Sequence, residues 1–473
     1  CRYEGPFTPP PSFAPASRPL QLAVGPHLLI DDHLIEKSEQ LVRRTHHPEF
    51  PVDEPEGWEE FQKHVAWENM ADAGPNCPDP RRRFIRTNFA MTQSHAAGVA
   101  GTTVHYGPTP TGPWVNAEEN PVIPYRFEGE SGHMHAVIDA HSIVFDPKTQ
   151  QFVMTYKTNP LSGENPKLAW YRDERWNAAN RALSGYRRLQ GLATSKDGIR
   201  WENHQQLFTP DDWDYGETQF LWSMLLKRGD LYLLHTSIHH DDIDRTAGWT
   251  ALSTSRDLYH WTRHRDMFIP YGENPKRGDK WFIAWGNQEI FIQDDYMYLA
   301  FRVQGSHKPP RRQFRGCARL PLDRFVSRGA RRNLVGTLTT PLLHFAPGVE
   351  QLQLNADVHQ GGQILVQLSD ARGQVLEGYS FQDCVPVTGD SLRHPVRWRT
   401  VKRLPRAVHP EQPVRIEFSL QQAELFAFYL IGPEWQQDED SLVRVDWPSP
   451  VSYTHLRAHE TDSYLVCRLL LEK

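Results

Sequence analysis

The stretch Ser142-Ile-Val-Phe-Asp-Pro-Lys-Thr-Gln-Gln-Phe-Val-Met-Thr-Tyr156 decides the fold. Two runs of branched and aromatic residues flank Asp146-Pro147, a pair that favours a turn, so the stretch reads as a β-hairpin. The pattern returns in His27-Leu-Leu-Ile-Asp-Asp-His-Leu-Ile35, in Ser223-Met-Leu-Leu-Lys-Arg-Gly-Asp-Leu-Tyr-Leu-Leu234 and in Glu289-Ile-Phe-Ile-Gln-Asp-Asp-Tyr-Met-Tyr-Leu-Ala-Phe301. Met70 to Phe89, around Pro78-Asp79-Pro80, supplies a fifth copy. A hairpin cannot bury its apolar face alone, so a unit that recurs along a chain sets the architecture.

A second motif follows the hairpins: Ala193-Thr-Ser-Lys-Asp-Gly-Ile-Arg-Trp201 and Leu252-Ser-Thr-Ser-Arg-Asp-Leu-Tyr-His-Trp261, with a weaker echo in Thr109-Pro-Thr-Gly-Pro-Trp114. Each adds a strand, a turn and a Trp-bearing strand, which completes a four-stranded antiparallel sheet. Five such sheets set radially predict a five-bladed β-propeller over residues 23–330. The repeat is longer than the roughly 40 to 45 residues of compact propellers, so inserted loops decorate one face, and such loops commonly carry function. Residues 331–432 then show evenly spaced alternating runs, including Leu352-Gln-Leu-Asn-Ala356, Gln363-Ile-Leu-Val-Gln-Leu368, Val414-Arg-Ile-Glu-Phe-Ser-Leu420 and Leu425-Phe-Ala-Phe-Tyr-Leu430. These predict a β-sandwich, and the expected class is all-β.

Composition agrees. Fifteen Trp, 37 Pro and 31 Gly among 473 residues suit short strands and many turns. With 52 Lys+Arg against 58 Asp+Glu, the net charge of -6 offers no global positive field for nucleic acid. No run approaches the roughly 20 apolar residues of a membrane-spanning helix. Cys1, Cys77, Cys317, Cys384 and Cys467 show neither a disulfide framework nor zinc-finger spacing. Histidine pairs at His46-His47, His133/His135 and His239-His240 match no known zinc spacing, and neither a metal nor a cofactor is expected.

The two ends read differently. Residues 1–22 open on Cys1 and carry Pro6, Pro9, Pro10, Pro11, Pro15 and Pro19, a composition that suits a tether. A leading cysteine fits either a lipid-anchored, periplasm-facing bacterial protein or a gene fragment. Residues 433–473 form a tail. From about Val451 it resembles translated sequencing-adapter read-through, which would leave His455, His459 and Cys467 without a role.

Residues 25–430 resemble the glycoside hydrolases that combine a five-bladed propeller with a C-terminal sandwich, the superfamily around families 32, 43 and 68. The resemblance rests on the Leu29-Ile-Asp-Asp32 opening, on Ala193-Thr-Ser-Lys-Asp-Gly-Ile-Arg-Trp201, and on the segment Phe381-Gln-Asp-Cys-Val-Pro-Val-Thr-Gly-Asp-Ser391. The Trp-Met-Asn-Asp-Pro-Asn-Gly and Arg-Asp-Pro boxes of family-32 invertases do not occur here, which argues against fructan cleavage. The resemblance implies a carbohydrate substrate and three carboxylates, an Asp, an Asp and a Glu, supplied by three blades.

In a propeller the first strand of each blade lines the funnel, so carboxylates at its start are the candidates for glycosidic cleavage. Glu217, beside Trp213, Tyr215 and Trp222, is the expected general acid. Asp139 and Glu68 are the expected base and partner, with Glu289 a rival to Glu68. Trp67, Trp222 and Trp285 are candidate stacking platforms, and His135 and His141 flank Asp139. Asp31 and Asp32 read as structural residues of a hairpin turn. Three functions stay open: a hydrolase of plant or algal oligo- or polysaccharide, a phosphorylase on the same scaffold, and a carbohydrate-binding propeller without catalysis.

Overall fold

The computed structural model describes residues 19–52, 69–74, 77–90, 101–110, 112–124, 126–128, 134–160, 189–208, 214, 218–241, 246–270, 282–283, 290–293, 295–304, 313–401, 404 and 412–433. Among them the regular structure is strand, with one 3-10 turn at Pro80–Arg82. The all-β expectation holds.

Four antiparallel sheets succeed one another along the chain. The first runs Asn69–Asp72, Phe84–Ala90, Gly101–Gly107, with Val115–Asn116 and Ile123–Pro124 both on the third strand. The second runs Arg126–Glu128, Met134–Asp146, Gln151–Pro160, Leu189–Ser195, Glu202–Phe208. The third is Thr218–Arg228, Leu231–Asp241, Thr246–Ser255, Thr262–Ile269. In the fourth, Phe282–Ile283 and Ile290–Gln293 both pair Tyr296–Gln304, followed by Gln313–Pro321. Its outermost strand, Glu49–Val52, comes from the N-terminal side of the chain, in the register Cys317↔Val52 and Arg319↔Glu49. That strand ties the last sheet to the start of the series.

Local chemistry explains the hairpins. At Asp146-Pro147 the Asp146 carboxylate accepts the Lys148 amide at 2.9 Å, closing the turn between Phe145↔Phe152 and Asp146↔Gln151. The Trp motif is one geometry used twice. Asp197 accepts the amides of Ile199 at 2.9 Å and Arg200 at 2.8 Å, and Trp201 Nε1 donates to Gly198 O at 3.2 Å. Asp257 accepts those of Tyr259 and His260, both at 2.8 Å, and Trp261 Nε1 donates to Leu258 O at 2.9 Å. Gly198 has φ +73, and a Cβ there would stand 2.0 Å from Ile85 Cδ1, so the glycine also admits the neighbouring sheet. In the second copy Leu258 takes φ 70 and is buried among Val144, Leu192 and Leu234.

Two expectations are corrected. His27 to Ile35 is not a hairpin: Gly25–Leu28 pairs with Ala427 to Leu430, and the chain then bends through Asp31 and Asp32. The four alternating runs after residue 350 are two long strands, Gln351–Ser369 and Arg415–Ile431, bent at irregularities between Val358 and Gln363 and around Gln421. Both sides of residue 330 join one sheet. Val326–Ala330 and Val335–Thr339 both join Arg415–Ile431, in an eight-stranded sheet that takes in Gly25–Leu28, Lys37–Glu39 and Leu41–Thr45.

Alternation fills the space between these layers. Leu352, Leu354, Val366, Ile416, Phe418 and Phe428 form the core of the C-terminal sheet, while Leu28, Leu226, Leu233, Phe325, Ala427 and Tyr429 join it to the third and fourth sheets. Charges are buried at the same junction. Arg228 meets Asp323 at 2.7 and 2.5 Å with neither side chain exposed, and Tyr429 donates to the same carboxylate at 2.7 Å. Burial works against the Asp323 carboxylate and Arg228 outweighs it, so its pKa lies below the ordinary value. Alongside, Arg256 holds Asp31, and Arg43 bridges Asp266 and His264.

Two predictions follow from this junction. Arg228→Met leaves Asp323 charged in a dry interior, and urea unfolding at pH 7 should show a loss of about 3–5 kcal/mol; a change under ~0.5 kcal/mol contradicts the assignment. His235 lies edge-on to Phe268 and Phe325, its ring nitrogens have no hydrogen-bond partner among the described residues, and burial lowers it to about 3. Below pH 6.5 the unfolded chain takes up a proton that the native state refuses, so this stability is complete above pH 6.5 and lost as pH falls toward 3. Between pH 6.5 and 4.5, His235→Leu should flatten the fall by about 1.4 kcal/mol per pH unit, one proton's worth. An unchanged slope contradicts it.

Candidate active site

The described part of the first strand begins at Asn69 in the first sheet and at Thr218 in the third, and that of one strand of the fourth begins at Ile290. Asp139 lies inside the corresponding strand of the second sheet, Met134–Asp146. This strand packs against both Asn69–Asp72 and Thr218–Arg228. Glu68, Glu217, Glu289, Trp67 and Trp285 themselves lie outside the described residues, and for Asp139 and His135 the description covers the backbone.

Both inner strands are irregular at the same level. Pairing shifts between Val137 and Asp139 and between Asp139 and Ser142, and again between Phe220 and Ser223, then resumes as Ser142↔Thr155 and Ser223↔Thr236. Such bulges re-aim side chains and recur beside active sites. The two strands are also stitched together there, since the Leu225 amide donates to Ser142 Oγ at 2.9 Å.

One row crosses the second sheet at this level. Asp139 is directly opposite Lys157, and Lys157 directly opposite Gln190. Lys157 is buried, with 7% exposure, and its ammonium stands 5.8 Å from the ring centre of the half-buried Trp222. Gln190 is fully buried and donates through Nε2 to Phe220 O at 3.3 Å. Sequence reading passed over Lys157. Its signal was a lysine ending the apolar run Phe152-Val-Met-Thr-Tyr156, where a solvated charge is not expected.

His141 is buried, and its Nε2 stands 2.8 Å from Thr102 Oγ1 of the first sheet, so the imidazole ties two sheets together. Among the described residues no three His, Cys, Asp or Glu side chains stand close enough to hold a metal. At the opposite, turn-bearing end lies a cavity of about 320 Å³ lined by His27, Asp146, Lys227, Asp230, Tyr232 and Arg256. Its charges serve one another: Tyr232 donates to Asp146, Lys227 lies 3.7 Å from the same carboxylate, Lys148 holds Asp230 at 2.7 Å, and Arg256 holds Asp31. Burial lowers the Lys227 ammonium below its usual range.

No family model matches the chain, and no curated protein matches it. Among solved structures it is similar to a glycoside hydrolase at 14% identity and TM-score 0.37, over 53% of this chain and 68% of that one. It is also similar to a thermostable family-43 glycoside hydrolase (10% identity, TM-score 0.32, 53% and 69% of the two chains). A family-32 β-fructofuranosidase from Bombyx mori matches at 10% identity and TM-score 0.30, over 82% of this chain and 94% of that one. These neighbours are glycoside hydrolases; the arrangement of sheets described above rests on strand register alone.

The placement of His141 gives a prediction. His141→Ala leaves a buried Thr102 hydroxyl without its partner, so unfolding should show a loss of about 1–3 kcal/mol. A fully stable variant contradicts the pairing.

Proposed function

We propose that this chain hydrolyses glycosidic bonds in a plant or algal oligo- or polysaccharide, with Glu217 as general acid and Asp139 and Glu68 as base and modulating carboxylate. The observation that supports it most is that Asp139 lies in Met134–Asp146, the strand that packs against both Asn69–Asp72 and Thr218–Arg228. A funnel lined by such strands gathers carboxylates from separate blades at one mouth, and a five-bladed propeller is the scaffold this reading adopts.

The chemistry needs two carboxyl groups in opposite protonation states. Glu217, as the acid, gives its proton to the glycosidic oxygen as the bond to the anomeric carbon breaks. A carboxylate on the other side accepts the proton of the attacking water, or attacks the carbon itself, according to the distance between the two groups. Trp67, Trp222 and Trp285 are the candidate aromatic faces for the sugar ring, and His135 and Glu289 are the polar candidates, while His141 is buried against Thr102.

The test is kinetic. Glu217→Gln should lower kcat/KM on a cleaved glycoside by about 10²–10⁴-fold while unfolding stays native-like, and Asp139→Asn should do the same. Full activity of Glu217→Gln overturns the assignment.

A further inference from the structure

We infer that the cavity at the turn-bearing end is a second binding site, and that it takes a neutral sugar of one or two rings. Its volume of about 320 Å³ lies at the small end of ligand pockets, which run from about 300 to 1,000 Å³. Three parts of the chain build it: the strands Leu20–Leu22 and Gly25–Leu28, the hairpin turns that end Met134–Asp146 and Thr218–Arg228, and the Trp motif at Arg256 to Leu258. These walls are fixed against one another. Gly229 has φ +54 and a Cβ there would stand 2.3 Å from Pro26 O, so the third-sheet turn packs directly on the strand Gly25–Leu28.

Charge argues against an anion. Each cation of the wall already has its carboxylate: Lys227 has Asp146, Lys148 has Asp230, Arg228 has Asp323 and Arg256 has Asp31. Asp257 adds a negative charge, and His27 and His33, which burial lowers to about 4, are neutral at pH 7. Among the described residues of the wall no positive charge is left over to hold a phosphate or a sulfate.

Hydrogen bonding, unlike charge, is unfinished. The Lys227 side chain is 4% exposed and its ammonium carries three N–H donors, yet its partner Asp146 Oδ2 stands at 3.7 Å, beyond hydrogen-bond reach. That oxygen accepts from the Tyr232 hydroxyl instead. His27 donates from Nε2 to Ala23 O at 3.0 Å, because a carbonyl can only accept, and this leaves Nδ1 as an acceptor. Asp230 gives Oδ1 to Lys148, and its Oδ2 is the second acceptor of the wall. A hydroxyl accepts from the ammonium and donates to the imidazole or the carboxylate, whereas an anion only accepts and would meet Asp146 and Asp230 as like charges. Leu22, Leu28, Leu231 and Leu258, all buried, supply the apolar surface for the C–H face of a sugar ring. A ligand here touches the N-terminal strands and the turns of two sheets, so its binding stabilises the folded chain.

The test is calorimetric titration of the purified full chain at pH 7 with xylose, arabinose, galactose, mannose and cellobiose, and separately with sodium sulfate. Saturable binding of at least one sugar is expected. It should weaken at least tenfold in Lys227→Met, which removes the donors, and in Gln21→Trp, which places an indole at the exposed rim of the cavity. The bound sugar should also raise the unfolding temperature of wild type and leave that of Gln21→Trp unchanged. If Lys227→Met does not fold, Gln21→Trp decides alone, since its change lies on an exposed residue. Sugar titrations that are the same in wild type and Gln21→Trp overturn the inference, and so does a folded chain that binds none of these sugars. Sulfate binding that Gln21→Trp abolishes would make the cavity an anion site and overturn it too. Glycoside cleavage is judged separately by Glu217→Gln, so either reading can fail alone.

Discussion

Arg228 and Asp323 meet where water has no access, and the placement of the inner strands depends on that contact. A pair this deeply buried survives only when its geometry is good and its remaining valences are filled. Here two guanidinium donors face two carboxylate oxygens, and Tyr429 satisfies the rest. Arg228 ends the first strand of the third sheet, Asp323 lies in the turn that leaves the fourth, and Tyr429 sits in the strand Arg415–Ile431 of the C-terminal sheet. One ion pair therefore pins three layers at the turn-bearing end of the repeat.

From that anchor the rest follows along the strand. Thr218–Arg228 spans eleven residues, roughly 35 Å of extended chain. Fixing one end while the Leu225 amide is held by Ser142 aligns this strand with Met134–Asp146. The bulges then fall at one level in both strands, and the row from Asp139 through Lys157 to Gln190 falls there too. The two ends of the repeat differ in chemistry. At the turn end the charges are closed into pairs around a cavity, whereas the other end carries the bulges of both strands and the row from Asp139 to Gln190.

Much of the fold was legible because its signals are local. Asp146-Pro147 and the two Trp motifs form turns whose hydrogen bonds lie within four residues, so the chain writes them where they occur. His27 to Ile35 carries the same apolar-acidic-apolar pattern, yet its partner is Ala427 to Leu430, some four hundred residues away in sequence, and no local pattern records that. Gly361-Gly362 and Gln421-Gln422 look like chain reversals and are bends within continuous strands, because the sheet wraps around its own core. The candidate site was legible only as a set of carboxylates expected at strand entrances, of which Asp139 lies inside Met134–Asp146. Lys157 was not, since a single cation inside an apolar run has meaning only once register sets it beside Asp139.

The measurement that bears most directly on this account is product release from plant and algal polysaccharides and aryl glycosides, with purified full-length chain, in the presence and absence of phosphate. The account predicts release of sugar from at least one substrate at the same rate with and without phosphate. A folded protein that binds glycans and releases nothing, or one that turns over only with phosphate, would contradict it.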